Sequence, residues 1–235
     1  LIDLETEEGV TGRAYVFCYL PAATVAVESI LRDASARVMG DRVAPVDINA
    51  KLGRHFKLLG VHGIVTMALA GLDGACWDAL ARAAGVPLVS VLGGIRRPVR
   101  AYNSNGLSLM PIDALADEAE ELLEGGFTAI KLRLGYPTLE EDLAAAHAVR
   151  ARLGAETIIM SDYNQALTMA DALERGRALD HTGLAWIEEP IRHDDYVGSA
   201  ALTRELATPI QIGENFNRPS AMADALAAKA CDYAM

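Results

Sequence analysis

The sequence of 235 residues contains no uninterrupted apolar run of about 18 residues, so a membrane-spanning helix is not expected. It also lacks a secretory leader pattern and any low-complexity tract, which together point to a soluble, cytoplasmic protein. Cysteine is scarce and odd in number. Cys18, Cys76 and Cys231 lie far apart in apolar stretches, which excludes a disulfide framework and fits buried thiols in a reducing compartment. Basic charge is short as well: 21 Lys and Arg against 32 Asp and Glu give a formal net charge of −11, with no basic stripe. That balance argues against nucleic acid or an anionic membrane surface as partner, and a protein so charged must gather positive charge locally to take an anionic substrate. What the chain has in plenty is apolar residue content, 51%, ample for a packed core in one large or two smaller domains.

The first twenty residues read as a hairpin, with LIDLET, a turn at Glu7-Glu8-Gly9, and then VTGRAYVFCYL. Direct entry into a strand leads us to expect that further residues precede it. Helical stretches are expected over 22–38 and 47–58, the second preceded by the extended Ala44-Pro45. The segment VTMALAGLDGACWDALARAAG predicts a long helix ending at Gly85, with Pro87 as stop signal, and its Ala and Gly content implies close packing against a neighbour. Gly93-Gly94 and Pro98 mark a boundary. Beyond it, strands expected at 99–103, 129–133, 158–162, 185–188 and 209–213 alternate with helices at 112–125, 139–153, 169–181, 196–206 and 220–230, and a sixth strand starts at Asp232. Such alternation demands a parallel sheet, and chemistry at successive strand ends favours a barrel over an open doubly wound sheet. Closure takes eight strands, so about five and a half imply that the chain is part of a longer protein.

Asp162 in IIMSDYNQ, Glu188 in LAWIEEP and Glu214 in IQIGEN each close a short apolar run, with the same interval from 162 to 188 as from 188 to 214. Parallel barrel strands deliver their C-terminal ends to one rim. Three carboxylates gathered there repel one another unless a divalent cation sits between them, and oxygen-only ligands favour Mg²⁺. The plainer alternative is that each acid merely caps the following helix. One unit earlier, TAIKLRLGYP places Lys131 and Arg133 two apart on one face of a strand. Exposed strands carry such pairs routinely, but the flanking Ile130, Leu132 and Leu134 suit a strand buried on both sides, where a lysine needs a partner.

These motifs together, Lys131-x-Arg133-x-Gly135-Tyr136-Pro137, Ser161-Asp162-Tyr163-Asn164-Gln165, Trp186-Ile187-Glu188-Glu189-Pro190 and Gly213-Glu214-Asn215, resemble the enolase superfamily, in its mandelate racemase and muconate lactonizing enzyme branch. The resemblance runs through the whole chain, including AGLDGACWDALARAAGVPL and the LGG after it. It implies an α/β fold: an α+β capping domain over residues 1–94, then a modified (β/α)7β TIM-type barrel, of which residues 95–235 supply strands one to about six. It implies Mg²⁺ held by Asp162, Glu188 and Glu214, with Lys131 contacting the substrate carboxylate and Ser104 and Asn164 beside the substrate. The shared step would be removal of the proton α to a carboxylate, giving an enediolate that the metal stabilises. Symmetric homo-oligomers would also be expected, and the Ala/Gly-rich helix is a candidate interface.

Two departures bear on the reaction. Arg133 stands where the racemase has a second lysine acting as base, and a guanidinium stays protonated. Arg133 is therefore expected to steer the substrate's carboxylate or a hydroxyl, with a histidine beyond Met235 as the base. Asn105 replaces a histidine and suits a hydroxylated substrate. Both lean toward a sugar-acid dehydratase, with mandelate-type racemisation or epimerisation as the alternative. A Schiff-base aldolase built on Lys131 and a non-catalytic binding barrel are the other readings. Among the histidines, His62 is a candidate for substrate contact, His193 is placed in an exposed loop, and His55, His147 and His181 carry no expected role.

Overall fold

The computed structural model describes all residues from 1 to 235 and divides into two units, Leu1–Pro98 and Val99–Met235. In the first, strands Ile2–Glu5 (β1) and Thr11–Ala14 (β2) pair antiparallel, Ile2 opposite Ala14 and Glu5 opposite Thr11. Helices Pro21–Val38 (α1) and Pro45–His55 (α2) each open on a proline, whose missing N–H would be unpaired there in any case. Helix Ile64–Ala84 (α3) closes on Gly85 at φ 64, a left-handed cap. Its small residues receive the hairpin of the same chain: a Cβ at Gly12 would overlap the Ala75 carbonyl, and one at Gly71 would meet Ile2 and Val16. The close packing read from the sequence is thus intramolecular. Ile48 and Leu52 of α2 meet Leu69, Leu72 and Cys76 of α3 in a core with Ala34, Phe56 and Val65.

By length and composition α3 is apolar enough to cross a membrane, although half of its apolar window is buried. Asp73, Asp78 and Arg82 interrupt its apolar run. α3 ends at Gly85 with Pro87 just beyond it, as the sequence predicts, and Pro87 then leads into a short helix, Leu88–Val91 (α4).

The second unit alternates helix and strand: Ile112–Glu121 (α5), Ala129–Arg133 (β3), Leu139–Leu153 (α6), Ile158–Asp162 (β4), Met169–Leu179 (α7), Ile187–Glu188 (β5), Tyr196–Glu205 (α8), Ile210–Ile212 (β6), Pro219–Ala228 (α9) and Tyr233–Ala234 (β7). The five strands pair in chain order, all parallel, as a partial (β/α) barrel requires. Thr138 starts α6 with a reciprocal capping box to Glu141, and Thr168 caps α7 through the Asp171 amide. Ile130, Leu132, Ile159, Ile187 and Ile210 fill the space under Leu115, Val149, Leu179 and Leu202 of the helices.

The strand expected at 99–103 is reduced to one bridge, Asn103 to Ile130. The Asn103 carbonyl accepts from the Lys131 amide and the Leu107 carbonyl from the Arg133 amide, both at 3.0 Å. Four residues on one side therefore span two on the other. Ser104, Asn105 and Gly106 bulge out between those bonds, which ends a regular ladder.

A candidate active site at the strand ends

β3, β4 and β5 are in register so that Arg133 pairs with Asp162 and Asp162 with Glu188, which brings their C-terminal ends to one edge. Lys131 points to that edge. Its Nζ donates to Glu188 Oε1 at 2.7 Å and lies 3.2 Å from Asp162 Oδ2, and it sits 5.9 Å over the Tyr102 ring. Burial works against Lys131's charge, yet the hydrogen bond to Glu188 and the charges of Asp162 and Glu188 outweigh it and hold the ammonium well above its ordinary range. Burial pushes Glu188 upward at the same time, against the pull of Lys131. We take the pair as charged, because two carboxylates face one ammonium at ion-pair distance.

The remaining oxygen of Glu188 is held by buried Gln211 at 3.2 Å and by the Trp186 indole at 3.4 Å. Trp186 lies edge-on to Tyr102 and tilted against Tyr233, an aromatic layer beside the lysine. Glu189, 1% exposed, accepts both its bonds from Asn215. Burial, then the charges of Glu214, Asp162 and Glu188, outweigh Asn215 and raise Glu189 to about 7.

The backbone behind these groups is strained. Asn164, Gln165 and Glu189 have φ of 47, 67 and 36, a left-handed region that residues with a Cβ seldom occupy. Asp162 Oδ1 accepts from the Asn164 amide at 2.7 Å, an Asx turn that holds the first of them. Gly213 takes φ 145 where a Cβ would overlap the backbone of Met235, so only glycine fits just before Glu214.

Arg133 Nη1 stands 3.9 Å from Asp162, and both line an open cavity of about 490 Å³ with Lys131, Ser104, Gly106, Ser108 and Leu109. The structure thus brings together Lys131, Arg133, Asp162, Glu188 and Ser104. Asn164 reaches Glu214 Oε1 at 3.4 Å, but Glu214 is exposed and Asn215 lies 3.5 Å from the same oxygen. No three carboxylates are drawn close enough here to share one ion, and the cation between Asp162 and Glu188 is the lysine ammonium. The donor set still fits Mg²⁺: it is all oxygen, anionic and partly buried, and it already holds a cation between two of its members. Asn105 sits on the bulge beside Ser104 without lining the cavity. His62 is exposed in the turn before α3, within the first unit. His193 is half-buried, with its amide bonded to Gln165, and His55 pairs with Asp33 at 2.6 Å. Sequence reasoning missed Gln211, Trp186 and Ser108. A polar residue between Ile210 and Ile212 was the available signal for the first, Trp186 stood in the Glu188 motif with no role assigned to it, and Ser108 carried none.

A βα repeat with its charged side chains gathered at the strand ends defines a barrel-type site. Residues 1–93 match the N-terminal domain model of the mandelate racemase/muconate lactonizing enzymes, and residues 114–235 match the enolase C-terminal domain-like model. The chain belongs to the mandelate racemase/muconate lactonizing enzyme family. It is 32% identical to 3,6-anhydro-alpha-L-galactonate cycloisomerase of Streptomyces coelicolor over 92% of its own length and 60% of the relative's. It is likewise 32% identical to arabinonate dehydratase of Saccharolobus solfataricus over 88% and 56%. The chain therefore spans well under two thirds of the length of these curated relatives.

Among solved structures, an enolase from alpha proteobacterium BAL199 with bound Mg is similar at 45% identity and TM-score 0.95, over 99% of this chain and 65% of that one. A Bradyrhizobium enolase complexed with magnesium and mandelic acid is similar at 38% and 0.93, over 99% and 64%. L-talarate dehydratase from Polaromonas sp. JS666, complexed with Mg and L-glucarate, is similar at 32% and 0.92, over 99% and 65%.

Proposed function

We propose that this protein acts as a Mg²⁺-dependent sugar-acid dehydratase: the proton α to the carboxylate of a hydroxylated acid passes to a base other than the protonated Lys131 and Arg133, and that base returns it to the β-hydroxyl, which leaves as water. The observation that carries this reading is the Lys131 ammonium, 2.7 and 3.2 Å from Glu188 and Asp162, at the wall of a cavity that also presents Arg133 and two serine hydroxyls. Asp162, Glu188 and Glu214 would hold the ion, which supplies the positive field that makes a carbon acid α to a carboxylate acidic enough to lose its proton. Binding it requires Glu214 to turn inward from Asn164 and Asn215.

Lys131, kept protonated by its neighbours, offers its charge to the substrate carboxylate, where negative charge grows as the proton leaves. The ion pairs that hold Lys131 to Asp162 and Glu188 disfavour the Schiff-base reading, which needs a free amine. Arg133 orients the acid or its hydroxyls with a fork that stays charged. Ser104 and Ser108 offer hydroxyls to a polyol chain. Named relatives that act on sugar acids, and a neighbour holding L-glucarate, support this substrate class.

Mandelate-type racemisation or epimerisation is the second reading, favoured by the neighbour complexed with mandelic acid. Arg133 weighs against its two-base form. Homo-oligomeric assembly, and substrate contact by Asn105, belong to the same proposal.

The test is to incubate the intact protein and Mg²⁺ with D-glucarate, galactarate, arabinonate and mandelate. Formation of a 2-keto product that EDTA suppresses is expected with a sugar acid. Inversion of mandelate without any keto product would favour the second reading, and turnover that survives EDTA would sink both.

A further inference from the structure

We propose that Tyr136, held by buried Asp142 and its partner Arg175, is the positioning residue that sets the wall of the substrate cavity. The consequence for substrate rests on the function proposed above. The clamp itself does not.

The wall is made by residues 104 to 109, the bulge that replaces a regular strand beside β3. Such a segment has few ladder bonds of its own. Leu107, fully buried at φ 54, is fixed at both polar backbone atoms: its carbonyl accepts from the Arg133 amide and its amide donates to Glu118 Oε2 at 2.8 Å. Beyond Leu107 come Ser108 and Leu109, both exposed and both lining the cavity. They are secured one residue later, at Met110. There the Tyr136 hydroxyl donates to the Met110 carbonyl at 2.7 Å and accepts from its amide at 3.0 Å. One side-chain oxygen thus satisfies both polar groups of a backbone that has left the sheet.

Tyr136 can do this only if its own turn is rigid, and the turn is held from below. Asp142, 0% exposed, accepts from the Gly135 and Tyr136 amides through one oxygen, each at 2.9 Å. Its other oxygen accepts from the Tyr163 hydroxyl at 2.8 Å and from Arg175 Nη1 at 2.5 Å. Arg175 also donates to the Tyr136 and Pro137 carbonyls at 2.9 and 3.2 Å. Every lone-pair direction of the buried carboxylate is used, so the pair is fully satisfied, which a buried charge needs in order to persist. Tyr163 directly follows Asp162, so one carboxylate fixes the strand end that carries a candidate ligand and the turn that carries the clamp. None of Asp142, Arg175 or Tyr136 lines the cavity or faces Lys131. Their effect on a substrate passes through Ser108, Leu109 and the Arg133 backbone.

Tyr136→Phe keeps the ring and deletes the oxygen. Amide hydrogen exchange of the intact protein, with and without the substitution, reads the clamp directly. We expect residues 104–110 to exchange about tenfold faster while β4 to β6 are unchanged. For the sugar acid that the unsubstituted protein dehydrates, KM should rise about tenfold with kcat and Mg²⁺ affinity close to unchanged, a split that general destabilisation does not give. Asp142→Asn should produce the same local exchange pattern, extended to residues 135–138. Exchange unchanged at 104–110 in Tyr136→Phe would overturn the clamp, as would exchange faster throughout the unit. Faster local exchange with KM unmoved would overturn the positioning role. If the unsubstituted protein turns over no acid, that result counts against the proposed function, and the exchange comparison alone decides the clamp.

Discussion

The two units bury different kinds of residue. The first has a core of apolar side chains, in which α2 and α3 meet through Ile48, Leu52, Leu69 and Leu72, with the Thr66 hydroxyl of α3 buried and without a partner. The polar and charged residues buried as whole residues, Asp142, Asp162, Glu188, Glu189 and Gln211 among them, lie in the second. Taking a charge out of water costs several kcal/mol, so a fold seeking stability alone does well without it. Within the second unit the buried charges divide again. Asp142 is closed off by Arg175, Tyr163 and two amides, whereas Asp162 and Lys131 face an open cavity. The first arrangement holds a turn in place, and the second keeps charge available to something that enters.

That contrast breaks most sharply at the site. Asp162→Asn should lower keto-acid formation by about a thousandfold or more while the unfolding midpoint in urea changes little, because the residue serves charge placement rather than packing. Retained activity would mean the carboxylate is not part of the chemistry. In the first unit the expectation reverses. Leu52→Ala, at a position 1% exposed, should cost about 2–5 kcal/mol of stability, read from urea titration, and leave Mg²⁺ affinity as it was.

A smaller effect is expected at Arg133, which is a third exposed and 3.9 Å from Asp162. Arg133→Ala should raise KM for a sugar acid roughly tenfold to a hundredfold, with less change in kcat, as for loss of a charged hydrogen bond made on binding. A kcat that collapses instead would place Arg133 in proton transfer.

The smallest is a pH effect at Asp73, whose carboxyl is pushed up by burial against hydrogen bonds from Asn49 and Trp77. Its folded pKa lies above the unfolded value, so between the two the folded state holds more protons. The stabilisation it gives is present below the unfolded pKa and lost as pH rises through the folded one. Asp73→Asn should flatten that part of the stability profile in thermal unfolding across the acid range.

Much of the second unit was legible. β3, α6 and β4 begin and end where the apolar pattern places them, because Thr138 with Glu141 marks one helix start and Gly154 its end. The strand expected at 99–103 was not, since the bulge at Ser104 to Gly106 depends on where Leu107 and Met110 are anchored, by residues far along the chain. The acids at the strand ends were readable from their spacing, and so was the Lys-x-Arg pair. What spacing could not convey is orientation. Glu214 turns toward Asn164 and Asn215, and Lys131 stands between the other two carboxylates. Left-handed backbone at Asn164, Gln165 and Glu189, beside these groups, is likewise announced by no periodicity.

The central claim is chemistry at the carbon α to a carboxylate, and proton NMR in D₂O reads that carbon directly. The intact protein with Mg²⁺ would be incubated with sugar acids and mandelate, and with the same acids after EDTA or with Asp162→Asn. Loss of the α-proton signal, or β-elimination, is expected for at least one acid, abolished by either treatment. An α-proton that persists in every acid while Mg²⁺ binds at Asp162, Glu188 and Glu214 would contradict it.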